Sequence, residues 1–345
     1  MQSLLIYLGR AVLILFLVIS LPSSSLKEKD FKFDEVWKII QETALYLPPN
    51  TATQKEACAW GITTGDIAAC LPSDPWAALL PTRVLNNVKQ KLLVPEMYVN
   101  HIREDITYIK INTISVSVPI HLLSAMNSQN GVITKTGEKS QTLISHAHGF
   151  ILDLRFNGGG LVVSTKNLLE LFANSPSEIL FTERTRVKEV INYAKDTQLS
   201  RQNAFNALQI TPLEQKTLGA LAGAHVAIIV NDKTASAAET IATFLKAKGR
   251  PVIGIRTYGK GLAQAHFNIQ GGTFALSTAE VLVGEERIRI ETIGVEPNYF
   301  VPADNAKTIH KFHSDHSYDT LDQLLKDDPQ FQKAFEILEQ KLSKK

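Results

Sequence analysis

Two residues combine side-chain type and surroundings in a way that suits covalent chemistry: Ser236, within Thr234-Ala-Ser-Ala-Ala-Glu239, and Lys260, within Tyr258-Gly-Lys-Gly-Leu-Ala-Gln264. A serine hydroxyl becomes a nucleophile once a nearby base takes its proton. A lysine can be that base when burial against apolar neighbours disfavours its ammonium form. Glycines on both sides of Lys260 permit tight backbone turns beside a crowded site. Acyl transfer also needs donors for a developing oxyanion, and Asp153-Leu-Arg-Phe-Asn-Gly-Gly-Gly160 offers them. Gly159 or Gly160 would supply one backbone N–H and Ala237 the other. Plainer roles fit the same residues. Ser236-x-x-Glu239 is a capping box, Lys260 suits a Gly-rich hairpin, and the glycine run suits a tight turn. Nucleotide binding is disfavoured, because neither Gly-x-x-x-x-Gly-Lys-Ser/Thr nor Gly-x-Gly-x-x-Gly occurs.

The elements that must hold these residues are legible as short apolar runs. Gly149-Phe-Ile-Leu-Asp-Leu154 and Val226-Ala-Ile-Ile-Val230 are almost wholly apolar, and each feeds a loop and then a helical segment. Strands buried on both faces have that texture, and their alternation with helices predicts an α/β core with parallel pairing. Ser236 then falls at a strand-to-helix junction, with the helix running to Lys248 and ended by Gly249. Further strands are predicted at Tyr108 to Ile111, Ile114 to Val118, Pro251 to Ile255, Thr273 to Val283 and Arg287 to Glu291. A helix is expected around His121 to Ser128, and a polar helical insert from Arg186 to Gly223. Towards the N-terminus, Asp34 is placed to cap a helix carrying Val36, Trp37, Ile40, Ala44 and Leu47, stopped by Pro48-Pro49. Asp74-Pro75-Trp76 marks a turn, and Val84 to Leu93 reads as helical. The C-terminal helix, Leu321 to Leu342, is interrupted near Asp328-Pro329.

The chain's 345 residues, 44% of them hydrophobic and 20% charged, have the composition of a globular protein with a full core. A formal charge of +2 offers no electrostatic case for nucleic acid. Arg10, the apolar run Ala11 to Leu21, Pro22 and Ser23 to Ser25 form a signal-peptide pattern. The run falls short of the ~20 residues of a spanning helix, so membrane contact is expected only through an uncleaved N-terminal anchor. In an exported protein, Cys58 and Cys70 suit a disulfide around a small loop, with two buried thiols as the other reading. No metal or other cofactor is expected. His310, His313, His316, Asp315 and Asp319 sit in a polar stretch that reads as solvated linker, and His146 and His148 bound a loop.

Six motifs in order carry a family resemblance: Asp153-Leu-Arg-x-Asn-Gly-Gly-Gly160, Thr234-Ala-Ser-Ala-Ala-Glu239, Gly249-Arg250, Gly259-Lys-Gly-x-x-Gln264, Leu276-Ser-Thr-Ala279 and Gly294-Val-x-Pro297. From about residue 105 to 303 the chain resembles the S41 peptidases, the carboxyl-terminal processing or tail-specific proteases. That resemblance implies a crotonase-like core of ββα units. It also implies a serine endopeptidase acting on protein or peptide substrates, with Ser236 as nucleophile, Lys260 as general base, Gln264 orienting the lysine, and Gly159 or Gly160 with Ala237 as the oxyanion hole. Gln264 acquires a role only through it.

The chain departs from the family in four places. Ser236 and Lys260 are 24 positions apart, one fewer than is usual; Ala238 replaces a common serine; Asn298 replaces an aspartate; and no PDZ-like segment is recognisable. Asp74-Pro-Trp-Ala-Ala-Leu-Leu-Pro81 resembles the stretch that precedes that domain, yet the core begins about 25 residues later. The expected organisation is a signal peptide or anchor at 1–25, a helical N-terminal region at 26–105, a catalytic core at 106–303, and a polar linker with a C-terminal helix at 304–345. The other reading from the same fold is a non-catalytic module that binds a retinoid-like or lipid ligand, a role for which serine, lysine and glutamine together are not needed.

Overall fold

The computed structural model describes residues 31–48, 51–64, 67–81, 96–103, 105–127, 149–195, 218–302 and 321–344. The apolar run 11–21, the helix expected at Val84 to Leu93, the histidines at 146, 148, 310, 313 and 316, and residues 196–217 lie outside these. Among the described residues, no helix is long and apolar enough to cross a membrane.

The N-terminal region opens with helix α1 (Phe33–Thr43), which buries Val36 and Ile40. Its N-cap is Lys32, not Asp34, which lies in the first turn, where a carboxylate favours the positive end of the helix. Helix α2 (Ala52–Thr64) follows, then a 3₁₀ turn at Ile67–Ala69. A disulfide joins Cys58 of α2 to Cys70, closing a separation of 12 residues. These pieces pack with Phe274 and Leu276 of the core. The strands that come next enter the core sheets: β1 (Ala78–Pro81) and β2 (Met97–Arg103).

Beyond them run β3 (Ile106–Ile111), helix α3 (Ser117–Asn127), β4 (Gly149–Asp153), helix α4 (Val162–Glu170), β5 (Ile179–Arg184), β6 (Glu189–Tyr193), β7 (His225–Val230), helix α5 (Ala237–Ala247), β8 (Val252–Gly254), β9 (Leu262–Ile269), β10 (Gly272–Val283), β11 (Ile288–Arg289) and β12 (Tyr299–Phe300). Helices α6 (Leu321–Asp327) and α7 (Pro329–Leu342) close the chain. One sheet has the order β12-β8-β7-β4-β3-β2 and is parallel except for β2. The other is antiparallel, with the path β1-β10-β5-β6, while β9 and β11 also pair with β10.

Alternation within the apolar runs explains why the parallel sheet is covered twice. Phe150, Leu152, Val226, Ile228 and Val230 point to one core with Leu168 of α4 and Ile241 of α5. Ile151, Ala227 and Ile229 point the opposite way, onto Phe331, Phe335 and Leu338 of α7. Successive strand residues face opposite sides, so a strand covered on both must be apolar throughout. Each of the buried valines, leucines, isoleucines and phenylalanines contributes about 1.5–3 kcal/mol through burial.

Two expected elements differ. Ile114 to Val118 is not a strand: Ile114 forms a single bridge with Gly160, and α3 starts at Ser117. The Ser117 amide donates to the Ser115 hydroxyl, a local bond that competes with a ladder, and Pro119 suits the first turn of a helix. The helical insert expected from Arg186 begins instead as strand β6, in a hairpin closed where Thr185 N–H meets the Lys188 carbonyl. Val190 and Ile191 favour a pleated surface, and pairing with β5 decides the matter.

Candidate active site

The site is assembled from loops at the carboxyl ends of β4 and β7 and from the strand β9. After β7, the chain turns through Asn231 to Ala235 and enters α5 at Ser236, the N-cap. Ser236 has φ 56 and ψ −124, a region costing about 1–3 kcal/mol for a residue with a side chain. Surrounding bonds hold it there. Ala235 N–H donates to the Asn157 carbonyl at 2.9 Å, Thr234 Oγ1 donates to the Leu154 carbonyl at 2.9 Å, and Phe156 N–H donates to Asn231 Oδ1 at 3.0 Å. The loops after β4 and β7 are thereby stitched together.

Glycine is required where these loops meet. A Cβ on Gly159 would stand 2.8 Å from Ser236 Cβ, and one on Gly160 would stand 2.0 Å from the Ile114 carbonyl oxygen. Gly159 N–H donates to Asn157 Oδ1 at 2.8 Å within its own loop. The amides of Gly160 and Ala237 have no acceptor among the described residues. Ala237 is the first residue of α5, where N–H groups are left over by the helix and its dipole is positive.

Glu239 ties the serine to the lysine. This fully buried carboxylate accepts from Ser236 N at 2.9 Å and Lys260 N at 2.8 Å through Oε2, and from Gly259 N at 2.7 Å and Thr257 Oγ1 through Oε1. Burial pushes its pKa up while those four bonds pull it down, with a net rise. The sequence marked Glu239 as half of a capping box, and its bond to the Ser236 amide is that half. Its three bonds to residues 257–260 carried no local signal. Tyr258 N–H adds a bond to the Thr234 carbonyl at 3.0 Å.

Lys260 lies in the loop before β9 and is 4% exposed. Its Nζ donates to Gln264 Oε1 at 2.6 Å, and Gln264 in β9 donates through Nε2 to the Trp76 carbonyl at 2.7 Å. The Trp76 ring faces Nζ at 4.7 Å from its centroid. Burial pulls the lysine down to about 8, against the opposing charges of Asp74, Glu291 and Glu239. None of those carboxylates accepts from Nζ among the described residues; each is occupied by backbone, hydroxyl or indole donors. His266, two residues beyond Gln264 in the same strand, is pushed down by burial and by the lysine's charge.

The Asp153-Leu-Arg155 part of the loop is a second, larger buried polar cluster. Arg155 reaches Asp153 through Nη2 at 2.6 Å and pairs with Asp328, the N-cap of α7, at 2.7 Å. Tyr108 donates to Asp153 at 2.8 Å, and Lys110 donates to Asp153 at 3.2 Å and to the Arg155 carbonyl. Burial alone would raise Asp153, but the charges of Arg155 and Lys110 hold it well below the usual carboxylate range. This cluster fixes the start of the loop whose far end meets Ser236.

The model of peptidase family S41 matches residues 105–301, more than half of the chain. The carboxyl-terminal-processing protease of Picosynechococcus sp. is 26% identical over 200 residues, 58% of this chain and 40% of that protein. The carboxy-terminal processing protease CtpA of Bacillus subtilis is 31% identical over 142 residues, 40% of this chain and 26% of that protein. The chain thus spans well under half the length of these curated relatives. A solved structure of a lipoprotein from Streptococcus agalactiae shares the fold at TM-score 0.55 and 20% identity, over 81% of this chain and 94% of that one. By the extent of the match to its model, the chain belongs to peptidase family S41.

Proposed function

We propose that the protein is an exported serine endopeptidase of the carboxyl-terminal processing type, hydrolysing peptide bonds through an acyl-enzyme on Ser236. Lys260 takes the hydroxyl proton as Ser236 attacks the scissile carbonyl, and later returns it to the leaving amine. Gln264 orients the lysine. The Gly160 and Ala237 amides, with no acceptor among the described residues, receive the oxyanion, and Gly159 supplies the space for that loop to approach the serine. Water then attacks the ester, with Lys260 again taking a proton.

One observation carries this reading: a buried lysine drawn down to about 8 is held by a neutral amide rather than a carboxylate, and its backbone shares the Glu239 carboxylate with the backbone of Ser236. A lysine so placed is poised to be neutral near physiological pH, where a general base is most effective. The Cys58–Cys70 disulfide is consistent with an oxidising, exported setting.

Peptide cleavage and labelling by a serine-directed phosphonate should both vanish in Ser236→Ala. Lys260→Ala should lower kcat/KM by about 10³-fold or more. In the unaltered protein kcat/KM should rise with pH through about 8, as Lys260 loses its proton. Undiminished cleavage by either variant would sink the assignment.

A further inference from the structure

The residues that enclose Lys260 on its outer side come from residues 67–76, outside the segment matched by the family model. Tight turns shape this arm, with Leu71 N–H on the Ile67 carbonyl and Asp74 N–H on the Leu71 carbonyl, and the Cys58–Cys70 bond anchors it to α2. It ends on the strand pair that carries Gln264. Asp74 accepts from Ser277 Oγ at 2.8 Å and from Ser277 N at 2.9 Å, and Ser277 lies opposite Gln264 in the β9–β10 register. Asp74 also accepts from Trp76 N at 3.1 Å, setting the turn that presents the tryptophan.

Three parts of Trp76 then act on the lysine loop. Its carbonyl accepts from Gln264 Nε2, and since an amide has one oxygen and one nitrogen, that bond forces Oε1 towards Lys260 Nζ. The ring covers Nζ, excluding water on that side, and its π face favours the ammonium that forms on proton transfer. The indole N–H lies 3.4 Å from Glu291 Oε1, whose partner oxygen accepts from Gly261 N at 2.6 Å. Glu291 is thereby kept on backbone and indole.

We propose that this arm sets the catalytic base, with Trp76 as a positioning residue that keeps Lys260 dry, aims it through Gln264, and withholds the Glu291 carboxylate from its amine. The proposal rests on the reading of Lys260 as the base. The titratable groups that face Lys260 are Asp74 of the arm, Glu239 of α5, Glu291 after β11 and His266 of β9. Removing the indole takes away the π-face attraction for the ammonium, but it also admits water and frees Glu291 Oε1, and because burial is the largest influence on this lysine the net change favours the charged form.

The test uses the full chain labelled with [ε-13C]lysine. The Lys260 titration is followed by NMR in a Ser236→Ala background, and the acid limb of kcat/KM is followed with Ser236 intact. In Trp76→Ala the midpoint and the limb should both rise by about one pH unit or more, and kcat/KM at pH 7 should fall about tenfold or more. Trp76→Phe, which keeps an aromatic face over the amine, should recover most of the shift. If circular dichroism shows that Trp76→Ala does not fold, Ser277→Ala decides, because it removes the hydroxyl that anchors Asp74 while leaving the Asp74 charge and the ring intact; the shift should have the same sign. A folded Trp76→Ala, or in its place a folded Ser277→Ala, with an unmoved midpoint and limb would overturn the role of the arm. Cleavage that survives Lys260→Ala would instead overturn the reading of the base.

Discussion

Among the described residues two lysines are buried, and the same cause lowers the pKa of both. Lys110 is 6% exposed and Lys260 is 4% exposed, and burial pulls both down to about 8. Their surroundings differ in kind. Lys110 ends on the Asp153 carboxylate and the Arg155 carbonyl, acceptors that hold its proton in place. Lys260 ends on a neutral amide and an aromatic face, while nearby carboxylates are turned to other donors. A depressed pKa alone therefore does not mark a base. A lysine is available for proton transfer when its partners can accept it both neutral and charged, and a strut when they need its charge.

The largest effect that would break this contrast belongs to the strut. Arg155→Met would leave Asp153 and Asp328 without their shared cation in a buried cluster, and should lower stability by about 3–5 kcal/mol, read as a drop in the urea midpoint. A change below about 1 kcal/mol would mean that the cluster contributes little to holding α7 on the sheet.

A sharper test replaces each lysine by methionine. Lys260 binds its proton less tightly folded than unfolded, about 8 against about 10.4, so the unfolded chain carries more protons between those values and stability rises with pH across that window. Below pH 8 the folded state bears the full cost of charging a buried amine. Lys260→Met removes that cost and should raise stability at pH 7 by about 1–3 kcal/mol, even as activity is lost. Lys110→Met removes a donor from buried acceptors and should lower stability by about 1–3 kcal/mol. Urea titrations at pH 7 that move in the same direction for both variants would erase the distinction.

The smallest effect concerns the link between serine and lysine. In Glu239→Gln the amide nitrogen must face either the Ser236 and Lys260 amides or the Gly259 amide and Thr257 hydroxyl. Stability should fall by about 1–2 kcal/mol. Because the lost bonds set the relative position of the Ser236 and Lys260 backbones, kcat/KM of the folded enzyme should fall about tenfold as well. Equal losses in the folded fraction and in turnover would reduce Glu239 to a structural cap.

How much of this was legible depended on the distance over which each cause acts. The runs 149–154 and 226–230 announced strands covered on both faces, since alternation and burial are local properties of a chain. Gly249, with φ 75, ends α5 as expected, because a left-handed residue after a helix is a matter of a few dihedrals. The segment 114–118 misled, because its period of two is also met by Ile114 and Val118 buried about one helical turn apart, with Val116 exposed between them. The strand β6 was hidden because an exposed, polar hairpin arm is specified by its partner, β5.

By itself, the sequence determined the parallel α/β core, the strand-to-helix junction at Ser236, and a glycine-flanked lysine followed at short spacing by Gln264, all of which follow from local periodicity, caps and turn chemistry. Only the tertiary structure decided what Lys260 touches. Trp76 meets Gln264 from 188 positions away, Ser277 brings Asp74 in from 203, and Arg155 pairs with the cap of a helix at the far end of the chain. Burial, and with it the lowered pKa of the lysine, is a property of all the elements packed around a side chain, so no window along the chain contains it.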